Sequence, residues 1–333
     1  MVLSNERELE LKAELLRRRN EERLWFYKPH IKQLAWHAAP QPFRIMATGN
    51  QFGKTYSSVI DDIWTATKIH PYRRNRVGEV YGRVCGPKFS TMHDVMIPYF
   101  KTMIPRYAGN VNGKPYAGLW KEDWDKAFTW NQEEKYIHFG DGSFIEFKSY
   151  DQDLDAFSGS QRHFIHFDEA PKHEDLWGEN LARQTTTGND IRVTLTPLDY
   201  SQWLYDTLYL GAQSHPDQFF MVTASSNENP YADQAALQAT YDFVSDENVR
   251  AARLHGDWVV SEGRVWKEYG DHNLCNTPDI DDSWHKVMVL DPHDSKPSYG
   301  AWFVHNPYTD KHILYREAQM RGTFEEITNQ IKA

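Results

Sequence analysis

The chain has little cysteine, no long apolar run and no excess of positive charge, and each shortage excludes a class of protein. Two cysteines in 333 residues, Cys85 and Cys275, cannot build a disulfide framework or a cysteine-rich zinc module, so a reducing compartment is the default. No segment approaches the roughly 18 uninterrupted apolar residues of a membrane span. The opening Met1-Val2-Leu3-Ser4-Asn5-Glu6-Arg7 runs straight into mixed charge, and no secretory leader is expected. With 37 Lys/Arg against 47 Asp/Glu the net charge is −10, which is unlike a protein that coats DNA non-specifically.

What is present is globular material. Apolar residues make up 40% and aromatics 14%, including 12 Trp, which excludes a disordered, collagen-like or coiled-coil chain. The length implies about two domains. Charge is uneven: residues 1–82 hold 14 Lys/Arg against 9 Asp/Glu, and the rest 23 against 38. A polyanion is therefore expected at the N-terminal quarter or at a local patch such as Arg73-Arg74-Asn75-Arg76, although a solvated loop has the same composition.

Residues 5–25 have helical composition, with Leu9, Ala13, Leu16 and Leu24 on one stripe and Arg17-Arg18-Arg19 opposite. This predicts an amphipathic helix packed on the surface. Pro40-Gln41-Pro42 breaks the chain. Residues 43–47 then read as a buried strand, 56–69 as a helix, 83–85 as a strand and 90–104 as a helix with a Ser N-cap. Segments 135–139 and 143–147 alternate around Asp141-Gly142, a hairpin signal. Segments 163–167 and 191–195 are further strands, so strands alternate with helices as in a mostly parallel α/β sheet. A polar, turn-rich linker is expected at 270–283. Strands at 286–290, 299–305 and 312–316 and a helix from near Thr323 follow it.

Two strings carry chemistry. Gly49-Asn50-Gln51-Phe52-Gly53-Lys54-Thr55 lies between a predicted strand and a predicted helix. A bound triphosphate needs inward backbone N–H groups, a lysine at the β/γ oxygens and a hydroxyl for Mg²⁺. Gly49 and Gly53 permit the tight backbone, Lys54 supplies the charge and Thr55 the metal ligand, with a helix N-terminus aimed at the anion. Position 48 is Thr, where the strict G-x-x-x-x-G-K-[ST] pattern has Gly. The second string is His163-Phe164-Ile165-His166-Phe167-Asp168-Glu169, an apolar strand delivering two carboxylates at its C-terminal end. Asp168 is expected to hold Mg²⁺ through water and Glu169 to polarise the attacking water. His163 and His166 point to opposite sides of a strand and read as structural.

In their order these strings resemble the large subunit of tailed-phage terminases, the DNA-packaging motors. The loop with Asn50-Gln51 before Phe52-Gly53-Lys54-Thr55 is similar to that of P22-like members. Tyr27-Lys28-Pro29-His30-Ile31-Lys32-Gln33 looks like the adenine-sensing glutamine segment, and Thr194-Leu195-Thr196-Pro197 like the coupling motif. Asn229-Pro230, Gly256-Asp257-Trp258 and Gly263-Arg264-Val265-Trp266 look like the closing signature of the ATPase region. Read alone, Thr194 and Thr196 are ordinary strand residues.

The resemblance implies an ASCE-type P-loop NTPase with a mostly parallel sheet flanked by helices, followed by a truncated RNase H-like α/β domain. The corresponding division is a charged helix at 1–26, the ATPase domain at 27–269, the linker at 270–283 and the start of a nuclease domain at 284–333. It implies ATP and Mg²⁺ as cofactors. Gln33, Gly49, Asn50, Gln51, Phe52, Gly53, Lys54 and Thr55 would contact nucleotide, Glu169, Lys54 and Thr196 would act in catalysis and coupling, and Thr55, Asp168 and Asp291 would be metal ligands. The implied partners are double-stranded DNA, a portal protein, a small terminase subunit and further copies in a ring, with no membrane; the implied location is the bacterial host cytoplasm and, transiently, the procapsid portal.

Two departures matter. The loop lacks the arginine that many members carry, and Ser158-Gly159 stands where others have an arginine before the acidic strand. The motif therefore assigns no arginine to transition-state charge: Arg162 is the nearest candidate, Arg73, Arg74, Arg76 and Arg83 are looser ones, and a neighbouring subunit is an equal alternative. Asp291, with at most Asp294 beside it, falls short of the three carboxylates a two-metal nuclease needs, so DNA cleavage is not expected. Two other readings share the motifs. A DEAD/DEAH-type helicase has a glutamine segment, a GKT loop and an Asp-Glu-Ala box, here Asp168-Glu169-Ala170, but the 50 residues after the linker are too few for a second RecA-like domain. The non-enzymatic reading is a nucleotide- or DNA-binding fragment that turns over poorly.

Overall fold

The computed structural model describes residues 5–21, 23–104, 109–111, 114–116, 127–171, 173–188, 190–198, 202–245, 247–258, 275–276, 279–293 and 297–332. Gly263-Arg264-Val265-Trp266 and Asp294 lie outside the described residues. The chain divides into two compact units, Met1–Gly263 and Arg264–Ala333. That division falls a few residues before the expected 270–283 linker.

The strands of the first unit are β1 (Phe43–Thr48), β2 (Tyr81–Gly86), β3 (Gly109–Val111), β4 (Lys114–Tyr116), β5 (Phe128–Trp130), β6 (Lys135–His138), β7 (Phe144–Ser149), β8 (Phe164–Asp168), β9 (Ile191–Leu195) and β10 (Phe219–Ala224). Its main helices are α1 (Asn5–Glu21), α2 (Ile31–Ala38), α3 (Lys54–Ala66), α4 (Ile97–Met103), α5 (Glu174–Ala182), α6 (Gln234–Asp242) and α7 (Glu247–His255). Eight strands form one sheet in the order β10-β1-β9-β8-β2-β7-β6-β5, and β3 pairs with β4 as a separate ribbon. From β10 to β7 every pairing is parallel; β7, β6 and β5 continue antiparallel. The expected hairpin is the β6–β7 pair, and β7 also joins β2 in parallel.

Strands β8 and β9 are buried along their whole length, as parallel strands covered on both faces must be. One face is apolar: Ile45, Ala47, Ile165, Phe167, Val193 and Leu195 pack with Leu176 and Trp177 of α5. The face beneath α3 differs, because Arg44, His166 and Arg192 project from the strands toward Asp61 and Asp62 of the helix, all wholly buried. Helix α3 starts at Lys54, two residues before its expected start, because Gly53 at φ 91° turns the chain into it.

The expected packing of the first helix needs correction. Helix α1 forms, but Leu9 and Leu16 stay 68% and 63% exposed, and only Leu24 beyond its end is buried. Its charges pair along its own surface, Arg7 with Glu10, Lys12 with Glu8 and Arg17 with Glu14.

The second unit is an antiparallel sheet of β11 (Lys286–Asp291), β12 (Ser298–Asn306) and β13 (Lys311–Met320), followed by α8 (Phe324–Lys332). Among the described residues no helix is long and apolar enough to cross a membrane. Cys85 is buried and Cys275 exposed.

Candidate active site

The order β1-β9-β8 decides what can meet. The glycine loop follows β1, the acidic pair ends β8, and β9 stands between them. All three strands are parallel, so the three C-terminal ends share one edge of the sheet, where α/β proteins bind ligands.

The loop is wound tightly against the C-terminal end of α7. Gly49 N–H donates to Ala224 O (2.9 Å) and Asn50 N–H to Arg253 O (2.7 Å). A Cβ on Gly49 would lie 2.6 Å from Leu254 O and 2.8 Å from Arg253 O, which is why the position takes no side chain. Gly256 (φ 71°) backs onto the same turn: its Cβ would meet Thr48 Cα at 2.8 Å. Asn229 secures the far side, its Nδ2 donating to Gln51 O (2.5 Å). The side chain of Gln33 is buried behind the loop; its Nε2 donates to Gly53 O (3.3 Å) and its Oε1 accepts from His30 N–H (3.2 Å). The ring of Phe52 is buried against His30, with centroids 4.6 Å apart.

Lys54 is buried and donates to Thr48 O (3.1 Å), Gly49 O (3.0 Å) and Thr196 Oγ1 (2.9 Å). Burial lowers its ammonium from the ordinary lysine value, and Glu169 and Asp168 oppose that fall. Thr196 gathers the site. Its hydroxyl donates to Asn50 Oδ1 (2.9 Å), and its N–H donates to Glu169 Oε2 (3.1 Å). Asp168 Oδ1 accepts from Thr194 Oγ1 (3.0 Å) and lies 3.4 Å from Thr55 Oγ1.

Glu169 sits at φ 62°, a left-handed backbone uncommon for a residue with a Cβ. The turn is tied by Glu169 N–H to Thr194 O (2.7 Å) and by the buried hydroxyl of Tyr150 donating to Glu169 O (2.8 Å). Burial and then the neighbouring Asp168 push the Glu169 carboxyl up to about 7, against Lys54 and the Thr196 N–H. A half-buried carboxylate poised near neutrality is suited to accept a proton from water.

These groups border a cleft of about 900 Å³ whose lining includes Asn50, Lys54, Thr55, Glu169 and Thr196 and, further out, the aromatic rings of Tyr27, Tyr56 and Tyr231. Thr55 and Asp168 offer hard oxygen ligands, and Asp168 Oδ2 has no protein partner among the described residues. Few protein oxygens beside a phosphate cradle is the donor set that suits Mg²⁺.

The arginine expectation is corrected. Arg83 Nε and Arg162 Nε both donate to Glu146 Oε1 at 2.5 Å and are buried. Arg73 donates to Ala39 O and Arg76 to Thr187 O, and with Arg74 they line a separate cavity beside His163 and Asp190. Arg162 precedes β8, at the opposite end of that strand from Glu169. The arginine that does line the cleft is Arg19 of α1, together with Leu15. The sequence placed Arg19 only on the polar face of a helix and gave Tyr150 no role, because neither lies within a motif.

Asp291 ends β11 on the second unit, exposed, and among the described residues no group of three ligands forms around it. The one such group is His37, Asp61 and His70. Its donors do not suit a metal. His37 accepts from Tyr27 Oη–H at Nε2 (3.0 Å), and His70 Nδ1 accepts from the N–H groups of Tyr72 and Arg73. The nitrogens facing Asp61 therefore carry protons, and the carboxylate is already engaged by Arg44 (2.8 Å) and Arg192 (3.1 Å).

A phosphate-type loop after one strand, an acidic pair after another and an inserted strand between them define the P-loop NTPase fold class. Within it, the chain is similar to the large terminase of a thermophilic bacteriophage (TM-score 0.53, 14% identity, 91% of this chain and 73% of that one). It is also similar to the ATPase domain of the large terminase of Thermus phage P74-26 (TM-score 0.51, 15% identity, 71% of this chain and 96% of that one). The fold is thus that of phage large terminases. No protein-family model matches the chain, and no curated protein matches it in sequence.

Proposed function

We propose that the chain is the ATP-hydrolysing motor subunit of a viral DNA-packaging terminase. The observation that carries this is Thr196, whose hydroxyl lies 2.9 Å from both Lys54 Nζ and Asn50 Oδ1 while its N–H holds Glu169. The first residue beyond β9 thereby touches the phosphate lysine, the loop and the general base.

In this reading the loop N–H groups and Lys54 cradle the β- and γ-phosphates, and Gln33 supports the loop from behind at the adenine end. Thr55 and Asp168 hold Mg²⁺, which neutralises phosphate charge when bound. Glu169 takes a proton from the water that attacks the γ-phosphorus, the bond to the β–γ bridging oxygen breaks, and ADP leaves with that oxygen. A phosphate oxygen that draws Lys54 away from Thr196 changes the hydrogen bonding of β9, and hydrolysis changes it back, so the strand reports the nucleotide state. Double-stranded DNA, a portal protein, a small subunit and neighbouring copies in a ring are the proposed partners, in the host cytoplasm and at the procapsid portal. The strand order of the second unit and Asp291 at the end of β11 support reading it as the opening of an RNase H-like domain.

The test is steady-state ATP hydrolysis with Mg²⁺ over a range of protein concentrations, with and without duplex DNA. Turnover per chain is expected to rise with concentration and again with DNA. Binding without hydrolysis under every condition would favour a non-enzymatic nucleotide-binding chain, and unwinding of a tailed duplex would favour a helicase. Absence of ATP binding would remove the loop assignment.

A further inference from the structure

Behind the acidic pair runs a row of buried polar side chains that the hydrolysis scheme leaves unused. At its centre is His166 on β8, with no exposed surface. His166 Nε2 lies 3.0 Å from Thr194 Oγ1, and Nδ1 lies 2.7 Å from Asp62 Oδ2. A threonine hydroxyl has one proton to give. That of Thr194 goes to Asp168 Oδ1 (3.0 Å), so its oxygen accepts from His166 Nε2–H while Nδ1–H faces the Asp62 carboxylate, an arrangement that places a proton on both ring nitrogens. The imidazole is fixed in turn: the other oxygen of Asp62 is held by Arg192 Nη1 at 2.7 Å, and Arg192 also reaches Asp190 (2.7 Å) and Asp61 (3.1 Å). Rotating the His166 ring would break both of its bonds inside a buried layer, where unpaired polar groups are costly.

We propose that His166, locked by Asp62, is a positioning residue that aims the Thr194 hydroxyl at Asp168 and so sets the orientation of that carboxylate for its divalent cation. The chain Asp62–His166–Thr194–Asp168 thereby does for a metal-binding carboxylate what outer hydrogen bonds do for ligands generally, where losing one costs about 10–100-fold in metal affinity or activity. The inference rests on the nucleotide-site reading above.

The experiment uses the full chain with ADP and Mn²⁺, the metal being counted by its electron paramagnetic resonance signal, and ADP binding is measured separately in chelator. His166→Asn keeps a polar atom near Nδ1 and loses the reach to Thr194; His166→Gln keeps the reach. Thr194→Val removes the hydroxyl with little change of shape. His166→Asn and Thr194→Val are each expected to weaken Mn²⁺ binding to the ADP complex by about tenfold or more, with metal-free ADP binding within about twofold of wild type. His166→Gln is expected to recover most of the loss. Adding His166→Asn to Thr194→Val should cost nothing further, since both cut one path. Unchanged Mn²⁺ affinity in Thr194→Val and His166→Asn overturns the proposal. So does a fall in metal-free ADP binding as large as the loss of metal, which would mark His166 as a packing residue only. If the wild-type chain binds no ADP, the nucleotide-site reading itself falls, and this inference with it.

Discussion

Glu169→Gln is expected to lower steady-state ATP hydrolysis by about 10²–10⁴-fold, the usual worth of a positioned general base, while ATP still binds. The amide preserves size and can still accept the Thr196 N–H (3.1 Å), but it cannot take a proton from water. Lys54 and the loop are untouched, so a nucleotide-binding titration should change little while turnover collapses. The wild-type pH profile is a second check. Because the Glu169 carboxyl is pushed up to about 7, the base form is lost as pH falls below neutrality, and the hydrolysis rate should fall by about tenfold per unit below that point. A profile flat down to pH 5, or a Glu169→Gln variant within a few-fold of wild type, would assign the base to another group.

The other large effect concerns stability. Asp61→Ala should destabilise the first unit by about 3–5 kcal/mol, because it leaves buried partners uncompensated. Arg44 and Arg192 both contact its carboxylate, and all three side chains are wholly buried. Such a loss is a large part of the roughly 5–15 kcal/mol that holds a typical domain folded, and the denaturant midpoint should drop accordingly. Deleting Glu10 from the exposed Arg7–Glu10 pair should leave that midpoint nearly unchanged. Acid acts on the same cluster in two stages. Burial chiefly lowers His37 and His70, the latter to about 4, so below about pH 6.5 the unfolded chain takes up protons that the folded one refuses, and stability falls. Burial alone would raise the Asp61 and Asp190 carboxyls, but Arg44 and Arg192 hold both below the usual carboxylate range. Their contribution is therefore full above about pH 4 and is lost as pH falls further, through their folded values.

The loop and the acidic pair were legible because their chemistry is written in consecutive residues, and the parallel strands β1 and β8, with β9 between them, bring both to the same sheet edge. Thr196 was legible only through its order after the acidic pair; nothing in a lone Thr-Pro string shows a hydroxyl reaching Lys54. Asp61-Asp62 shows the limit of local reading. Two acids in a helix look like a solvated face, and only strand pairing brings Arg44 and Arg192 beneath them. The arginine expectation erred in the opposite way. Arg162 lies close to Glu169 in sequence, yet the intervening five-residue strand separates their ends by roughly 17 Å at about 3.3 Å per residue. Exposure of the α1 leucines was not legible either, since an apolar stripe states what a helix could bury and not whether a partner surface exists.

The left-handed backbone at Glu169 sets a conflict between selection for durability and selection for turnover. A non-glycine residue held there carries about 1–3 kcal/mol of strain, and Gly or Asn relieves it with less penalty. A library sorted for heat resistance alone will therefore tend to drift toward those residues at position 169, and its hardiest survivors will be inert. Durability is better sought where the backbone is relaxed and the chemistry absent, such as the solvent-facing Leu9 and Leu16 of α1.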